Sequence, residues 1–547
     1  MLLGLLAEIA LASVALSLGA TWVSAQQSPS ASGSPLRYDI EAKLDPVAHR
    51  LDARERIHIV NTSQQPLTQL YFHLYLNAFR DRHSVFMREG GARLRGHDLG
   101  RPGSIAISEL RTADGADLLP GLETELVPGD RTQVRVQLPA ALPPGAALDL
   151  ALAFQAELPE LMARSGYAGE FHMLGQWFPK LAKLEPSGEF ASFPYHGFGE
   201  FYADFADYDV TIAVPERFIV ASAGVLSERT VRAGVRRERY RSEHVHDSAW
   251  AAYPYFETLQ RTVGRVRMQL FAPRGYGAAL ARQAEVLAHA LPYFEARYGE
   301  YPYTTLTVIL PPPAANAASG MEYPTLFTSS GPFWALPLAL PDPAHDIVSV
   351  HELAHQWFSG MIASNEVAYP VLDEGLAEWA ALDFLREYYR RPGAWTAHVP
   401  LPQGPFDVLR AAILARTKKS LPSSLLSVES YSDKTLGVAV YARPALVLAR
   451  IAERHGRAPL RAALSRYARA QRFHHPTPDD LFRAFDATPA LGVNYGQRVL
   501  RKALASESAD PPVLQLPAAL RKRSPSGWQF LPELWAVAFH ALRSVGP

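Results

Sequence analysis

From Leu36 to about Thr262 apolar and polar positions alternate in short runs. Tyr38–Leu44, Arg56–Val60, Gln69–Leu76, Gln133–Leu138, Leu148–Phe154, Asp209–Val214 and Phe218–Ala221 show period-two alternation or enrichment in β-branched and aromatic residues, so each predicts a strand. Turn chemistry separates them at Asn61-Thr62-Ser63, Asp114-Gly115, Pro128-Gly129-Asp130 and Pro143-Pro144-Gly145. Val225 to Glu243 reads as a hairpin through Ala233-Gly234. The pattern predicts a β-sandwich or a saddle-shaped sheet. The less regular stretch from Gly169 to His196 carries Gln176-Trp177-Phe178-Pro179, expected to reach toward a cleft.

Past Val263 the period lengthens. Arg267–Ala272 and the apolar run Thr305–Leu310 predict strands, with Thr325–Ser329 another. Between the first two, Leu280, Ala284, Val286, Leu287, Ala290, Leu291 and Phe294 recur at helical spacing within Gly277–Tyr298. Ile347, Val348, Val350, Leu353, Trp357 and Phe358 mark a further helix, with Asp346 expected as its N-cap. A helix that follows a turn near Asn365, carries Glu374 and runs to about Tyr389, one opening at Tyr441-Ala442-Arg443-Pro444, one over Leu460–Tyr467, and one opened by the capping-box-like Thr477-Pro478-Asp479-Asp480 complete the pattern.

Composition adds little to this. A chain of 547 residues has room for about three to four domains of roughly 150 residues. Formal net charge is zero, so no global field draws the protein to nucleic acid. The absence of cysteine excludes disulfides, thiolate catalysis and Cys-type structural zinc. The N-terminus matters more. Leu2 to Val23 is almost wholly apolar and ends at the A-x-A-like Val23-Ser24-Ala25, which predicts a signal peptide or an N-terminal anchor over 1–25 and an exported protein, periplasmic or extracellular. Residues 26–35 read as a linker.

The candidate chemistry lies in His351-Glu352-Leu353-Ala354-His355. Residues four apart share a helix face, so His351 and His355 are placed to hold one Zn²⁺, and Glu352 to reach a water on that ion. A catalytic zinc needs a third protein ligand and an open position. Glu374 offers it, with eighteen residues (356 to 373) between it and His355. Two histidines on an apolar helix face are costly to bury unless something satisfies them, and a metal does. Glu378, one turn after Glu374, reads either as a carboxylate that orients a zinc-ligating histidine or as a solvated helix residue. His474, His475 and the Arg521–Arg523 cluster read as surface groups.

These motifs carry a resemblance. HELAHQWF (351–358), DEGLAEW (373–379), SGMEYP (319–324) and YARPALVL (441–448) resemble the aminopeptidase N-like family of zinc metallopeptidases, which includes leukotriene hydrolase. The resemblance covers roughly 36–490. It implies an N-terminal β domain (36–262), a thermolysin-like α+β zinc peptidase domain (263–490) and a short C-terminal extension (491–547), with the family's large C-terminal helical domain absent. It implies one catalytic zinc on His351, His355 and Glu374, with Glu352 as general base and Tyr441 as hydrogen-bond donor to the oxyanion. Gly320, Met321 and Glu322 would bind substrate, and Glu322 would grip the free α-amino group. Ser319 and Tyr323 depart from the family's G-x-M-E-N loop. The expected partners are peptides with a free N-terminus, not nucleic acid. Membrane contact is expected only through a possible N-terminal anchor, and a protein partner has room over an open cleft. The alternatives are a zinc endopeptidase or other hydrolase on the same scaffold, or a non-catalytic binding or assembly protein that kept the fold.

Overall fold

The alternating strands Leu36–Asp45 and Arg50–Val60 lie at the centre of a seven-stranded sheet in the computed structural model, which describes residues 33–91, 99–199, 201–330, 343–389 and 421–507. The strand order is 225–232, 235–245, 206–215, 36–45, 50–60, 147–157, 104–112, antiparallel except where 36–45 meets 206–215. The hairpin expected at Ala233-Gly234 is present, with Ala233 at φ 50° and Gly234 at φ 73°, the left-handed pair that a tight hairpin turn demands. One face buries Tyr38, Ile40, Ala42 and Leu44; the other turns Asp39, Glu41 and Lys43 outward. That outer face is laced with charge pairs: Arg239 and Arg241 both engage Asp209, and Arg237 reaches Glu41. Glu55 breaks the alternation. It points inward, 1% exposed, and burial raises its carboxyl well above the usual range.

Two four-stranded sheets share the core of the seven-stranded one, built from 180–181, 67–73, 133–142 and 122–123, and from 219–222, 250–253, 171–174 and 166–168. Gln176 and Trp177 belong to this core and do not reach a cleft. Trp177 is fully buried and donates to Ser248 O at 2.9 Å, while Gln176 donates to Asp247, the buried partner of Lys180 at 2.6 Å. Their polar atoms are satisfied inside, which a local reading of Gly169–His196 does not reveal.

The second core gathers around a sheet ordered 256–263, 266–273, 305–309, 326–328. Its last two pairings are parallel, and α1 (Gly277–Tyr298) makes the crossover. Then come α2 (Pro343–Ala354), α3 (Pro370–Tyr388), α4 (Arg443–His455), α5 (Arg457–Ala470) and α6 (Pro478–Asp486). α6 starts at the capping box of Thr477 and Asp480, as expected. Asp346 is not an N-cap. It lies in the first turn of α2, fully buried, paired with Arg282 of α1 at 2.6 Å and accepting from Tyr389 OH at 2.7 Å. A partner 64 residues upstream in sequence decides that role. His475 also differs from expectation: it packs against Tyr202 and Phe205 and meets Ala363 O at 2.8 Å, whereas His474 is exposed.

From Pro35 onward the chain forms one compact unit. Strand 256–263 crosses the 262/263 position and joins the second sheet, and residues 491–504 pack into the second core. Four cross-links tie the cores together near the helix of the histidines. Thr307 Oγ1 donates to Ser222 O, Thr305 Oγ1 to Gly224 O, Gly224 N to Thr325 Oγ1, and His246 Nε2 meets Ser359 O. Among the described residues no separate helical domain follows α6, and no helix is long and apolar enough to cross a membrane. The signal or anchor segment, most of the linker and the Arg521–Arg523 cluster lie outside the described residues.

Candidate active site

α2 presents His351, and His355 follows one turn on, its amide bonded to His351 O at 3.1 Å. Their Nε2 atoms are 2.9 Å apart. Glu374 of α3 brings Oε2 to 3.1 Å from His351 Nε2 and 3.3 Å from His355 Nε2. Donors bonded to a tetrahedral zinc at about 2.1 Å are roughly 3.4 Å apart, close to the edges of this triangle, which therefore fits one zinc ion. The other imidazole nitrogens are held by carboxylates. Asp373 Oδ1 is 2.5 Å from His355 Nδ1, and Glu378 Oε2 is 3.2 Å from His351 Nδ1, close but not aligned as a hydrogen bond. Both arrangements favour the proton on Nδ1 and leave the Nε2 lone pairs facing the shared centre. Glu378 is fully buried against His351, not solvated.

The charge balance makes the same demand. Glu322, Glu352, Asp373 and Glu378 are each at most 4% exposed and converge with Glu374 on two histidines. So many buried carboxylates are costly without a cation. Burial and the neighbouring His355 push His351 down, but Glu374 and Glu378 outweigh them and raise it to about 10. Burial likewise opposes ionisation of Glu374, yet hydrogen bonds from His351 and His355 hold its carboxyl well below the usual range. Burial raises the Glu352 carboxyl above the usual carboxylate range.

The 319–323 loop closes the centre on the strand side. Gly320 N and Met321 N both donate to Thr328 O, at 2.9 and 3.3 Å. Gly320 sits at φ 66°, and a Cβ there would be 3.5 Å from Glu352 Oε1, so the loop backbone lies directly beside the Glu352 carboxylate. The Glu322 carboxylate is grouped with His355 and Asp373 within 4.8 Å. Gln356, next to His355, locks the loop to the helix by donating to Tyr323 O at 3.1 Å and accepting from Thr325 N at 2.8 Å.

Tyr441 arrives in a π-helical turn, Gly437–Ala442, just before α4. Its hydroxyl donates to Glu374 Oε1, the oxygen next to the metal-facing one. Gly375 makes this approach possible. A Cβ there would be 2.7 Å from Pro444 Cβ and 2.9 Å from Val440 O, so α3 and the π turn meet only over a glycine.

All eight residues singled out in the sequence (Gly320, Met321, Glu322, His351, Glu352, His355, Glu374 and Tyr441) thus belong to one centre. No sequence motif assigned a role to Asp373, Gln356 or Arg164. The first two had a signal, as polar residues beside proposed ligands in apolar helices. Arg164 had none: it comes from the β region, 156 residues from the Gly320 carbonyl it binds.

Comparison with known proteins agrees with this geometry. Residues 282–499 match the peptidase family M1 domain. The fold is similar to the M1 zinc metallopeptidase of Deinococcus radiodurans, with TM-score 0.61 and 18% identity over 88% of this chain and 96% of that one. A mutant of that protein bound to a Tyr-Ser-Ala substrate aligns with TM-score 0.60 and 19% identity, over 88% and 96%. A two-domain M1 zinc metallopeptidase mutant bound to L-tryptophan aligns with TM-score 0.59 and 17% identity, over 89% and 97%. Residues 282–499 thus match the peptidase family M1 domain, the chain has the fold seen in the two-domain M1 zinc metallopeptidases, and its His351–His355–Glu374 centre fits one catalytic zinc.

Proposed function

We propose that this protein is a zinc-dependent aminopeptidase that removes N-terminal residues from peptides. The observation that supports this most is Glu322, a buried carboxylate beside His355 and Asp373, within one residue's length of the metal-binding triangle. A carboxylate there suits a substrate ammonium group through a charge-assisted hydrogen bond. Zinc held by His351, His355 and Glu374 supplies Lewis-acid polarisation of the scissile carbonyl and acidifies water. Glu352 takes the proton of the attacking water and returns it to the leaving amine. Tyr441 turns its hydroxyl from Glu374 to the developing oxyanion, a donor contribution of about 3 kcal/mol to the transition state. Gly320 and Met321 present the loop backbone to the peptide as an added strand.

The test compares release of the first residue from a peptide with a free N-terminus and from its N-acetylated form, with and without chelator. The reading requires strong preference for the free form and loss of that preference in Glu322→Gln. Equal rates on the blocked peptide indicate the endopeptidase alternative. A zinc-loaded Glu352→Gln variant with full activity removes the proposed mechanism altogether. The apolar Leu2–Val23 stretch further supports action outside the cytoplasm, which fractionation of the expressing cells checks.

A further inference from the structure

Arg164 reaches the centre from the β region. Ala163 and Arg164 adopt φ of 44° and 63°, two consecutive non-glycine residues in the left-handed region. Such strain persists only where the surroundings enforce it. Here Arg164 N is bonded to Ala317 O at 3.0 Å, and its Nε and Nη2 both donate to Gly320 O, at 3.0 and 2.7 Å. The guanidinium is therefore fixed on the carbonyl of the residue that lies against Glu352.

The placement of the carboxylates gives the direction of a bound peptide. Glu322, on the flank of His355 and Asp373, takes the amino end. Glu352, on the flank of Gly320, returns the proton to the leaving amine, so the residues after the scissile bond extend toward Gly320 and Arg164. Gly320 is two positions from Glu322, roughly 7 Å along an extended strand. That is about the length of an extended dipeptide, and the Arg164 guanidinium is bonded at its Gly320 end. A carboxylate arriving there meets Glu352 and Glu374 as like charges unless a cation answers it.

We propose that Arg164 is a specificity-determining residue that binds the C-terminal carboxylate of di- and tripeptides and so directs the enzyme to short peptides. This rests on the aminopeptidase reading above. Arginine suits the task because its planar fork can hold a carbonyl oxygen while facing a carboxylate.

The experiment measures tyrosine release from Tyr-Ser-Ala as the free acid and as its C-terminal amide, in the zinc-loaded wild type, Arg164→Ala and Arg164→Lys. Zinc content and circular dichroism are recorded for each. The wild type is expected to favour the acid by about 10-fold or more in kcat/KM, expressed mainly in KM, in line with one charge-assisted hydrogen bond. Arg164→Ala should lower the acid far more than the amide and bring their ratio near one, and Arg164→Lys should restore part of it. Equal wild-type rates on acid and amide overturn the proposal. So does an Arg164→Ala variant that slows both equally, which would mark Arg164 as a tether for the 319–323 loop alone. If Arg164→Ala fails to fold, the Arg164→Lys ratio decides: a ratio unchanged from wild type, in which the fork geometry makes no difference, counts against the proposal. Failure of the aminopeptidase reading is separate, because it appears as cleavage of N-acetylated Tyr-Ser-Ala by the wild type.

Discussion

Gly375→Ala tests the geometry that joins Tyr441 to the zinc ligands. The added Cβ would be 2.7 Å from Pro444 Cβ, 2.9 Å from Pro444 Cγ and 2.9 Å from Val440 O. Unstrained carbon contacts are about 3.5–4.0 Å, so α3 and the π turn must part by roughly 1 Å. Overpacking of this kind costs about 1–3 kcal/mol, while alanine in a helix regains about 1 kcal/mol of propensity over glycine. The net loss of stability is therefore about 0–2 kcal/mol, a melting shift of a few degrees at most. Activity should suffer more. A shift of about 1 Å moves the Tyr441 hydroxyl off the position where it bonds Glu374, and in the proposed mechanism loss of that oxyanion donor costs about 3 kcal/mol, roughly 100-fold in kcat. The assay is kcat on a free peptide with zinc content and thermal unfolding measured in parallel, for Gly375→Ala, Tyr441→Phe and the double variant. The two single losses should not add, because both remove one hydroxyl from one place. Full kcat in Gly375→Ala, or a double variant that loses the product of the two effects, would refute the reasoning.

Asp373→Asn should weaken zinc affinity about 10- to 100-fold, and more than Glu378→Gln does, since only the Asp373 contact to a histidine is aligned as a hydrogen bond; competition with a chromophoric chelator measures both. Asp346→Asn leaves Arg282 without its buried partner and should cost about 3 kcal/mol, read from urea unfolding, although it lies outside the metal centre. Burial lowers His73 to about 3, and His172 and His246 to about 4, from 6.5. These rings stay neutral in the folded state while the unfolded chain takes up protons below pH 6.5. Their stabilisation is therefore complete above that pH and is lost as pH falls toward 4, by up to about 1.4 kcal/mol per pH unit for each ring. Urea midpoints at pH 7.5, 6.0 and 5.0 should fall less steeply in His73→Gln than in the wild type; parallel slopes contradict the assignment.

The sequence by itself determined whatever depends on neighbours along one element. Period-two alternation located the strands around 36–60 and 148–154 and the hairpin at Ala233-Gly234. The 3.6-residue period gave α1 within Gly277–Tyr298, and the four-residue step put His351 and His355 on one face. Tertiary structure decided what depends on partners far along the chain. It turned Asp346 from an expected cap into a buried anchor for Arg282, and drew Gln176 and Trp177 into the core. It also paired Asp373 and Glu378 with different histidines and carried Arg164 across 156 positions to Gly320. The physical reason is that helix and strand periods are imposed by local backbone geometry, whereas the pairing of a buried charge depends on which distant group the packed chain brings within about 3 Å of it. Glu374 belongs to both: its place after the histidines could be read along the chain, but its bond to Tyr441 required α3 and the π turn to close over Gly375.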